Sequence, residues 1–495
     1  MLAAAMSRTL PSAARAAGAV ALLAGLAAVT RLSSWRKPLA TDTGQYLYIG
    51  DLVLDGGTPY TDAVNNKGPM TYVLFALIRL GAGTSMTAVR VVLLAFAVLA
   101  ALALGAYVAR FTDRATGAVA AAGFAVFAAL PAFQGDDPNT EQIGIAFVVG
   151  SWWLATRPPA RRAFAAGAAA AAAVAMNPAF AVVLPFTAWE VWRARDAAAP
   201  GGTKRLASAL AGAVAVAAPL LLWLLARGAL DEMWHHVVEF ARGRADGSIS
   251  EDAVPARSVD ASGEPGAFEV PAQGFWVVGI AGLLLALTDA RARRVAVPML
   301  AWVVVGWARV KGATYEFPHH YYPVLPGLVA GLALGAARLW ALTSRPRVRY
   351  AIAAVAIALP AAQWVARPER DALDVPARLR WGKEFGSFAL AYPVAAFVRA
   401  HTAPGDRILV AATDPEVYWL ADRRASTPYF DVFPLRRERR LVGARANDVA
   451  YDPPKAIVAM PDAEESDPWF PALLDLHEFP PAYEADGARV WLLKR

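Results

Sequence analysis

Two short polar segments near the N-terminus contain side chains that can do acid–base or phosphate chemistry. Asp42 follows closely on an apolar segment at residues 14–32, and Lys67 lies in the run Asn-Asn-Lys-Gly-Pro. A carboxylate can accept a proton from an incoming hydroxyl, and an ammonium can bind a phosphate through a charge-assisted hydrogen bond. Each residue also has a structural interpretation, because aspartate commonly caps a helix and lysine at a helix end extends its ammonium into water. The sequence alone leaves both interpretations open.

A second acidic segment, at residues 133–141, contains Asp136, Asp137 and Glu141. Carboxylates this close together suit a hard divalent cation, which prefers oxygen ligands, and such a cation can offset the charge of a departing phosphate. Aspartate and asparagine side chains here would otherwise cap the helix that we expect to begin near Thr140. The segment is therefore either a site for a divalent cation or phosphate, or a helix cap.

A third polar cluster precedes an apolar segment later in the chain and contains Lys311, His319, His320 and Tyr321. These side chains can hydrogen-bond phosphate or sugar oxygens, or they can form an aromatic belt at a membrane surface. The positive charges of Arg309 and Lys311 lie where the topology below predicts few basic residues. This excess of positive charge favours an anionic ligand.

The adjacent pair His235 and His236 offers metal-ligand chemistry, but no third ligand lies at a suitable spacing in the sequence. We therefore expect the pair to lie at the membrane interface without a metal. The sequence contains no Walker-type phosphate loop, no dinucleotide-binding glycine pattern and no serine nucleophile elbow.

The composition places these clusters in a membrane protein. The chain has 495 residues, of which 57% are hydrophobic and only 18% charged, and it has no cysteine, so disulfides and thiolate metal sites are excluded. A helix needs about 20 apolar residues to cross a bilayer. The apolar runs predict a polytopic α-helical protein with about eleven crossings, near 14–32, 86–108, 115–132, 142–156, 163–176, 178–193, 206–226, 272–289, 295–309, 321–342 and 349–366. The apolar run at 70–80 is too short to cross, and we predict a re-entrant helix there.

Basic residues concentrate at alternate loops, near 8–15, 110–114, 157–162, 193–205, 291–294 and 338–349. Because positive charge is enriched on the cytoplasmic side of membrane proteins, these loops and the N-terminus are predicted to be cytoplasmic. The net charge of +7 is thus explained by topology, and a nucleic-acid partner is not expected. The predicted external loops of the membrane module, residues 1–366, are 33–69, 133–141, 227–271 and 310–320.

After residue 366 the composition becomes that of a soluble domain, and residues 367–495 are predicted to form a small extracytoplasmic α/β domain. Alternating apolar residues predict strands at 406–411, 456–459 and 488–492. Helices are predicted at 393–401 and 416–422. We expect this domain to pack on the external face of the membrane module.

Taken in order, these residues resemble the GT-C superfamily of membrane glycosyltransferases over about residues 10–370. The nearest types are the protein O-mannosyltransferases and the aminoarabinose lipid A transferases (glycosyltransferase family 39-like). The resemblance is carried by Asp42, by Gly-Asp-Leu-Val-Leu-Asp-Gly-Gly-Thr-Pro-Tyr at 50–60, by Lys67-Gly68-Pro69, by Asp136-Asp137 with Glu141, and by His320-Tyr321-Tyr322 with Leu325-Pro326.

The resemblance implies transfer of a sugar from a polyprenyl-phosphate carrier on the external face of the cytoplasmic membrane, with inversion at the anomeric carbon. It implies Asp42 as the general base, Lys67 as a ligand of the carrier phosphate, and the 136–141 cluster as an organiser of phosphate or a divalent cation. The acceptor would be a lipid, a glycan or a protein.

Two positions depart from the pattern that such proteins often show. Asp42-Thr43 and Gln45 stand where such proteins often have an Asp-Glu pair or a nearby arginine, which bears on the class of acceptor. Gly68 stands where a first proline is common after the lysine, and we expect this change to alter mainly the stiffness of the backbone. The competing hypotheses are a transporter or flippase of lipid-linked glycans and an envelope scaffold. A transporter predicts ionisable residues near the bilayer midplane, and a scaffold leaves the acidic segments unexplained.

Overall fold

The structure is a computed structural model, and it describes most of the chain. The described residues are 12–32, 35, 39, 41–130, 133–135, 139–157, 159–194, 202–246, 273–312, 318–351, 354–355, 390–411, 414–461 and 463–494. The second half of the predicted external loop 227–271 and most of the last predicted crossing, 349–366, lie outside these residues.

Helices dominate the first 342 residues. They are α1 Ser12–Val29, α2 Thr41–Leu54, α3 Pro69–Ala82, α4 Met86–Phe111, α5 Arg114–Phe127, α6 Thr140–Ala155, α7 Ala160–Met176, α8 Val183–Arg193, α9 Gly202–Ala226, α10 Leu230–Met233, a π-helix Trp234–Glu239, α11 Phe240–Asp246, α12 Gln273–Ala286, α13 Arg293–Lys311, a 3-10 helix Pro318–Val324 and α14 Leu325–Leu342. Each crossing predicted before residue 349 coincides with one of these helices.

Fewer helices than predicted are long and apolar enough to cross a membrane by themselves. Among the described residues they are Met86–Phe111, Gly202–Ala226 and His319–Leu342. Other apolar helices are shorter, such as Arg114–Phe127 and Gln273–Ala286. At 1.5 Å per residue these span roughly 21 Å, less than the ~30 Å hydrocarbon core. The structure thus supports a polytopic helical fold, and the number of eleven crossings stays a prediction.

The alanine-rich and glycine-containing helices pack closely. A side chain at Gly167 on α7 would collide with the backbone carbonyl of Ala209 on α9, and one at Gly212 would collide with the carbonyl of Phe164. Such close contact of helix backbones requires small residues. The alanine-rich tract near 165–175 is therefore a helix-packing surface.

The segment that contains Asp42 was expected as a loop, but it forms the helix α2. This helix pairs with α3, the short helix predicted as re-entrant. Arg79 on α3 donates to the Asp51 carboxylate on α2 at 2.6 Å, and Gly50 lets the two backbones approach each other. Pro69 begins α3, where its missing N–H costs nothing. The prediction of a loop was wrong because it relied on the polar composition, and these polar side chains pair with other elements.

The C-terminal domain is a mixed five-stranded sheet flanked by helices. It contains α15 Ala391–His401, β1 Arg407–Ala411, α16 Glu416–Ala421, β2 Arg424–Ala425, α17 Phe433–Arg437, α18 Arg440–Tyr451, β3 Ala456–Ala459, α19 Ala463–Ser466, β4 Tyr483–Ala485 and β5 Ala488–Leu492. The sheet order is β2-β1-β3-β5-β4, with β1 parallel to β2 and β3, and β5 antiparallel to β3 and β4. The three predicted strands and two predicted helices are present. The short strands β2 and β4 had too few residues to show a pattern.

This domain packs directly on α2. A side chain at Gly44 would lie 2.6 Å from the Cβ atom of Glu416, so glycine is needed for this contact. The Tyr48 hydroxyl accepts a hydrogen bond from the backbone N–H of Ala425 at 3.0 Å. The N–H of Val64 donates to the carbonyl of Pro428 at 2.9 Å. The α2 helix is thus enclosed between the helical module and the sheet domain.

Single cysteines can test the predicted topology because the chain has none of its own. Tyr451 in the C-terminal domain is 94% exposed, and Ala290 lies exposed in the basic loop before α13. In intact cells, a membrane-impermeant maleimide is expected to label Tyr451→Cys, and to label Ala290→Cys only after the membrane is opened. Labelling with the reverse pattern would refute the orientation.

Candidate active site

Asp42 lies in the first turn of α2 and is half-buried. Its Oδ2 atom accepts a hydrogen bond from the Asn139 side-chain amide at 3.3 Å. Because α2 begins at Thr41, Asp42 lies inside the first turn and does not occupy the capping position before the helix.

Lys67 lies in the loop between α2 and α3, and its backbone is held firmly. The hydroxyl of Tyr60 donates to the Lys67 carbonyl at 2.8 Å, and the Lys67 N–H donates to the Asn65 side chain at 3.2 Å. The Nζ atom lies 6.0 Å from the centre of the Tyr46 ring. Among the residues that the structure describes, no carboxylate forms an ion pair with this ammonium. The half-buried ammonium can therefore bind an anion from outside the protein.

A chain of buried side-chain amides connects Lys67 to α2 and to the C-terminal domain. The Asn65 amide donates to Gln45 Oε1 at 2.5 Å, and Gln45 Nε2 donates to Asp431 Oδ2 at 2.7 Å. The Tyr72 hydroxyl donates to Asn65 Oδ1 at 2.9 Å. Gln45 is one of the residues that depart from the common pattern, and here it links α2, the Lys67 loop and the C-terminal domain.

Gly68 has a larger effect than the expected change in backbone stiffness. Its N–H donates to the carbonyl of Met176 at 2.9 Å, and a side chain at this position would collide with the carbonyl of Ala175 at the end of α7. Proline has no N–H and carries a Cβ atom, so it fits neither feature. The Lys-Gly-Pro sequence therefore allows the Lys67 loop to contact α7 closely.

Glu141 is fully buried in the first turn of α6, beside this loop. Its carboxylate accepts hydrogen bonds from Thr140 Oγ1 at 2.9 Å and from the Asn177 amide at 2.8 Å. Its charge interacts electrostatically with those of Lys67, Arg309 and protonated His319. Glu141 thus provides the negative charge next to which these positive groups converge.

The helix-cap interpretation of the segment 133–141 is confirmed for Asn139. The Asn139 side chain accepts a hydrogen bond from the backbone N–H of Thr140 at 2.7 Å while its amide donates to Asp42. Asp136 and Asp137, the other predicted members of the cation site, lie outside the described residues. Their roles stay predictions.

The third cluster contacts the same region through His319. The Nδ1 atom of His319 lies 2.5 Å from the side-chain oxygen of Gln134, in the second acidic segment. Arg309 donates to the backbone carbonyl of His320 at 2.6 Å. The ammonium of Lys311 lies 6.0 Å from the ring of Tyr321.

His320 is buried next to His319, and their ring centres are 4.5 Å apart. Tyr321 is fully buried and packs against Trp276, with 5.9 Å between the ring centres. Tyr321 therefore belongs to the core beside the cluster and is not part of an exposed surface.

Sequence analysis missed Asp431, the carboxylate that the C-terminal domain contributes. Burial away from water, together with the nearby charge of Asp42, raises the pKa of Asp431 to about 6, although the Gln45 amide and backbone N–H groups oppose the rise. No sequence pattern signals this residue, because its partner Gln45 lies almost 400 positions earlier in the chain.

The fold is shared with solved membrane glycosyltransferases of the GT-C superfamily. ArnT from Cupriavidus metallidurans bound to undecaprenyl phosphate is 15% identical, with a TM-score of 0.60 over 96% of this chain and 98% of that chain. The archaeal oligosaccharyltransferase AglB from Archaeoglobus fulgidus, in complex with an inhibitory peptide and a dolichol-phosphate, is 13% identical, with a TM-score of 0.52 over 93% of this chain and 72% of that chain.

No protein-family profile and no curated protein sequence matches the chain significantly. Sequence identities this low establish a common fold and leave the activity to be argued from the site. The GT-C resemblance that the residues indicated is confirmed at the level of the fold.

The contact of Gly68 with α7 can be tested by adding one methyl group. Gly68→Ala is expected to lower stability by about 1–3 kcal/mol, because the end of α7 must shift to relieve the collision. Gly81→Ala is the matched control, since open space surrounds Gly81 on α3, and it should be neutral or stabilising by up to about 1 kcal/mol. Thermal unfolding in detergent measures both, and equal melting temperatures for the two variants would contradict the contact.

The raised pKa of Asp431 predicts a specific pH dependence. Below about pH 4 the carboxyl is protonated in both folded and unfolded chains. Between about pH 4 and 6 only the unfolded chain ionises, so the wild type loses up to roughly 3 kcal/mol of stability by pH 7. Asp431→Asn keeps an acceptor for Gln45 but cannot ionise. Its melting temperature relative to wild type should therefore rise between pH 4.5 and 7.5, and a parallel pH dependence of both proteins would refute the prediction.

Proposed function

We propose that this protein transfers a sugar from a polyprenyl-phosphate-linked donor to an acceptor on the external face of a membrane. The observation that carries the proposal is the shared framework of Asp42 and Lys67. Asn139 holds the half-buried Asp42 carboxylate, and Asn65 holds the backbone of the half-buried Lys67. The Asn65 amide also donates to Gln45, which lies about one turn after Asp42 on α2. Two solved proteins of this fold bind undecaprenyl phosphate and a dolichol-phosphate.

Asp42 acts as the general base in this proposal. Its carboxylate takes the proton from the acceptor hydroxyl, and the acceptor oxygen then forms a bond to the anomeric carbon of the sugar. The bond between that carbon and the carrier phosphate oxygen breaks, and its electron pair leaves with the phosphate. Attack from the side opposite the leaving phosphate inverts the anomeric configuration. The hydrogen bond from Asn139 orients one carboxylate oxygen and leaves the other for the acceptor.

Lys67 binds the carrier phosphate, where negative charge develops as the sugar leaves. A fixed ammonium stabilises this charge without reorganisation during the reaction, which is the largest single contribution in many enzymes. The hydrogen bonds of Tyr60 and Asn65 hold the Lys67 backbone, and the ammonium lies 6.0 Å from the centre of the Tyr46 ring. The positive charges of Arg309 and Lys311 lie at the end of α13 and attract the anionic donor to the same region.

Of the divalent-cation site predicted at residues 136–141, the structure describes only Glu141. Both carboxylate oxygens of Glu141 already accept hydrogen bonds, from Thr140 and Asn177. Its negative charge is also next to positive side chains. This arrangement accounts for Glu141 without a metal, so the steps above use none.

The positions of the ionisable residues favour an enzyme over a transporter. Asp42 and Glu141 lie in the first turns of α2 and α6, and Lys311 lies at the end of α13. A transporter would require such groups near the bilayer midplane. A scaffold would not require the network between Gln45, Asn65 and Asp431, because burying polar groups costs stability unless each is satisfied.

Two substitutions separate the roles of base and phosphate ligand. Asp42→Asn keeps the shape and the contact with Asn139 but cannot accept a proton, so transfer should fall roughly 100-fold or more with donor binding retained. Lys67→Ala should weaken donor binding, because the charge-assisted contact is lost. Transfer is measured in membranes with labelled polyprenyl-phosphate sugars, and binding is measured as the thermal shift that undecaprenyl phosphate produces.

Asp55→Asn is the matched control for Asp42→Asn. It makes the same change of charge just beyond the other end of α2, where Asp55 is exposed and pairs with Arg424. This variant should transfer sugar at the wild-type rate. An Asp42→Asn protein that turns over as fast as Asp55→Asn would show that Asp42 only stabilises the helix.

A further inference from the structure

A second cluster of ionisable side chains lies away from the residues assigned above. His235 and His236 are in the π-helix after α9, and Glu438 follows α17 of the C-terminal domain. One ligand atom from each of the three residues lies within 4.8 Å of the other two. The third ligand that the sequence did not reveal is therefore supplied from about 200 residues later in the chain.

Each histidine is oriented by a carboxylate on its own helical segment. His235 Nδ1 lies 2.7 Å from Glu239, and its Nε2 atom faces Glu438 at 2.8 Å. His236 Nε2 lies 3.4 Å from Glu232, and its Nδ1 atom faces the cluster. Metal-binding histidines commonly hold a carboxylate with one ring nitrogen while the other binds the ion. Both rings of the pair have this arrangement.

The π-helical backbone makes this convergence possible. Neighbouring side chains on an α-helix point about 100° apart, which separates adjacent ligands. The wider π turn at 234–239 reduces this angle, and single π turns occur often at functional sites. The ring centres of His235 and His236 are 4.9 Å apart. The π turn therefore brings the two imidazole rings close to each other.

The centre of the cluster already attracts a cation, the guanidinium of Arg437. Its Nη2 atom lies 3.4 Å from His235 Nε2 and 3.1 Å from His236 Nδ1, and it also donates to Glu438. The guanidinium carbon lies 5.3 Å from the centre of the Phe240 ring. Two acceptors of the cluster, His236 Nδ1 and the Glu438 carboxylate, thus converge on one positively charged nitrogen, and His235 Nε2 lies beside it.

We propose that these residues form a binding site for a Zn²⁺-class divalent ion. His235 Nε2, His236 Nδ1 and the Glu438 carboxylate bind the ion, a water completes the tetrahedron, and the Arg437 guanidinium moves outward. Two imidazoles and one carboxylate are a donor set that Zn²⁺ accepts with four-fold coordination. Mg²⁺ and Ca²⁺ prefer oxygen donors throughout. The ion replaces the proton between His235 and Glu438, which is released to solvent.

The site would fasten the segment after α9 to the C-terminal domain. The described parts of the two elements also meet where Phe240 packs on Phe433, with 5.6 Å between the ring centres. Because none of the ligands belongs to the Asp42 and Lys67 network, the ion is independent of the proposed transfer reaction. Its binding can be measured without a sugar donor.

Metal binding to the purified full-length protein, produced without a histidine tag, tests the proposal. After removal of metals with a chelator, Zn²⁺ is titrated by calorimetry, and Co²⁺ is titrated by its visible absorption. The absence of cysteine means that no thiolate contributes to the Co²⁺ spectrum. The wild-type protein should bind one more Zn²⁺ ion per chain than His236→Ala or Glu438→Ala. His401→Ala is the matched control, because His401 is exposed and outside the cluster, and it should bind as wild type.

Arg437→Met is expected to bind Zn²⁺ more tightly than the wild type does, and a misfolded variant would not show this result. Removing the competing positive charge should tighten Zn²⁺ binding at the cluster by roughly tenfold or more. Loss of the extra equivalent in His401→Ala, or its absence from wild type, would overturn the proposal. If Arg437→Met bound the ion and the wild type did not, the native cluster would serve to hold the Arg437 guanidinium. The proposal would fail in that case too.

Discussion

The hydrogen bond between the amides of Gln45 and Asn65 is the interaction on which the candidate site depends. Asn65 also holds the backbone of Lys67, and Gln45 lies about one turn after Asp42 on α2. An unsatisfied buried amide costs about 1–3 kcal/mol, so neither side chain can leave its partner freely. One contact between two uncharged side chains therefore fixes the relative positions of the proposed base and the proposed phosphate ligand.

The same chain of amides gives the C-terminal domain a place in the site. Asp431 accepts the last hydrogen bond of the chain and is buried, and the charge of Asp42 acts on it. Gly44 removes the side chain that would otherwise keep the domain from α2. The domain is thus more than an appended unit, because it covers the helix that carries Asp42 and supplies a carboxylate beside it. The domain also contacts the helical segment after α9, through Glu438 and His235.

Glu141 and Lys67 carry opposite charges close to helix ends, but their charges are satisfied to different degrees. Glu141 is satisfied by Thr140 and Asn177 and lies among positive side chains, whereas the Lys67 ammonium has no ion pair with a described carboxylate. Because Glu141 stabilises this positive charge without covering Lys67, the ammonium stays available to an anionic donor. This asymmetry is the electrostatic basis of the proposed phosphate site.

The sequence by itself determined the apolar helices, the strands β1, β3 and β5, and Asp42, Lys67 and Glu141 as residues of interest. These features depend on local periodicity and on charges that interrupt apolar runs, and both can be read along the chain. Only the tertiary structure decided that Asp42 lies in the first turn of a helix, that Gly68 needs its N–H, and that Asp431 and Glu438 contact residues hundreds of positions earlier. Such pairings depend on which surfaces pack together, and the free energy of burying and satisfying polar groups leaves no periodic signal in the sequence.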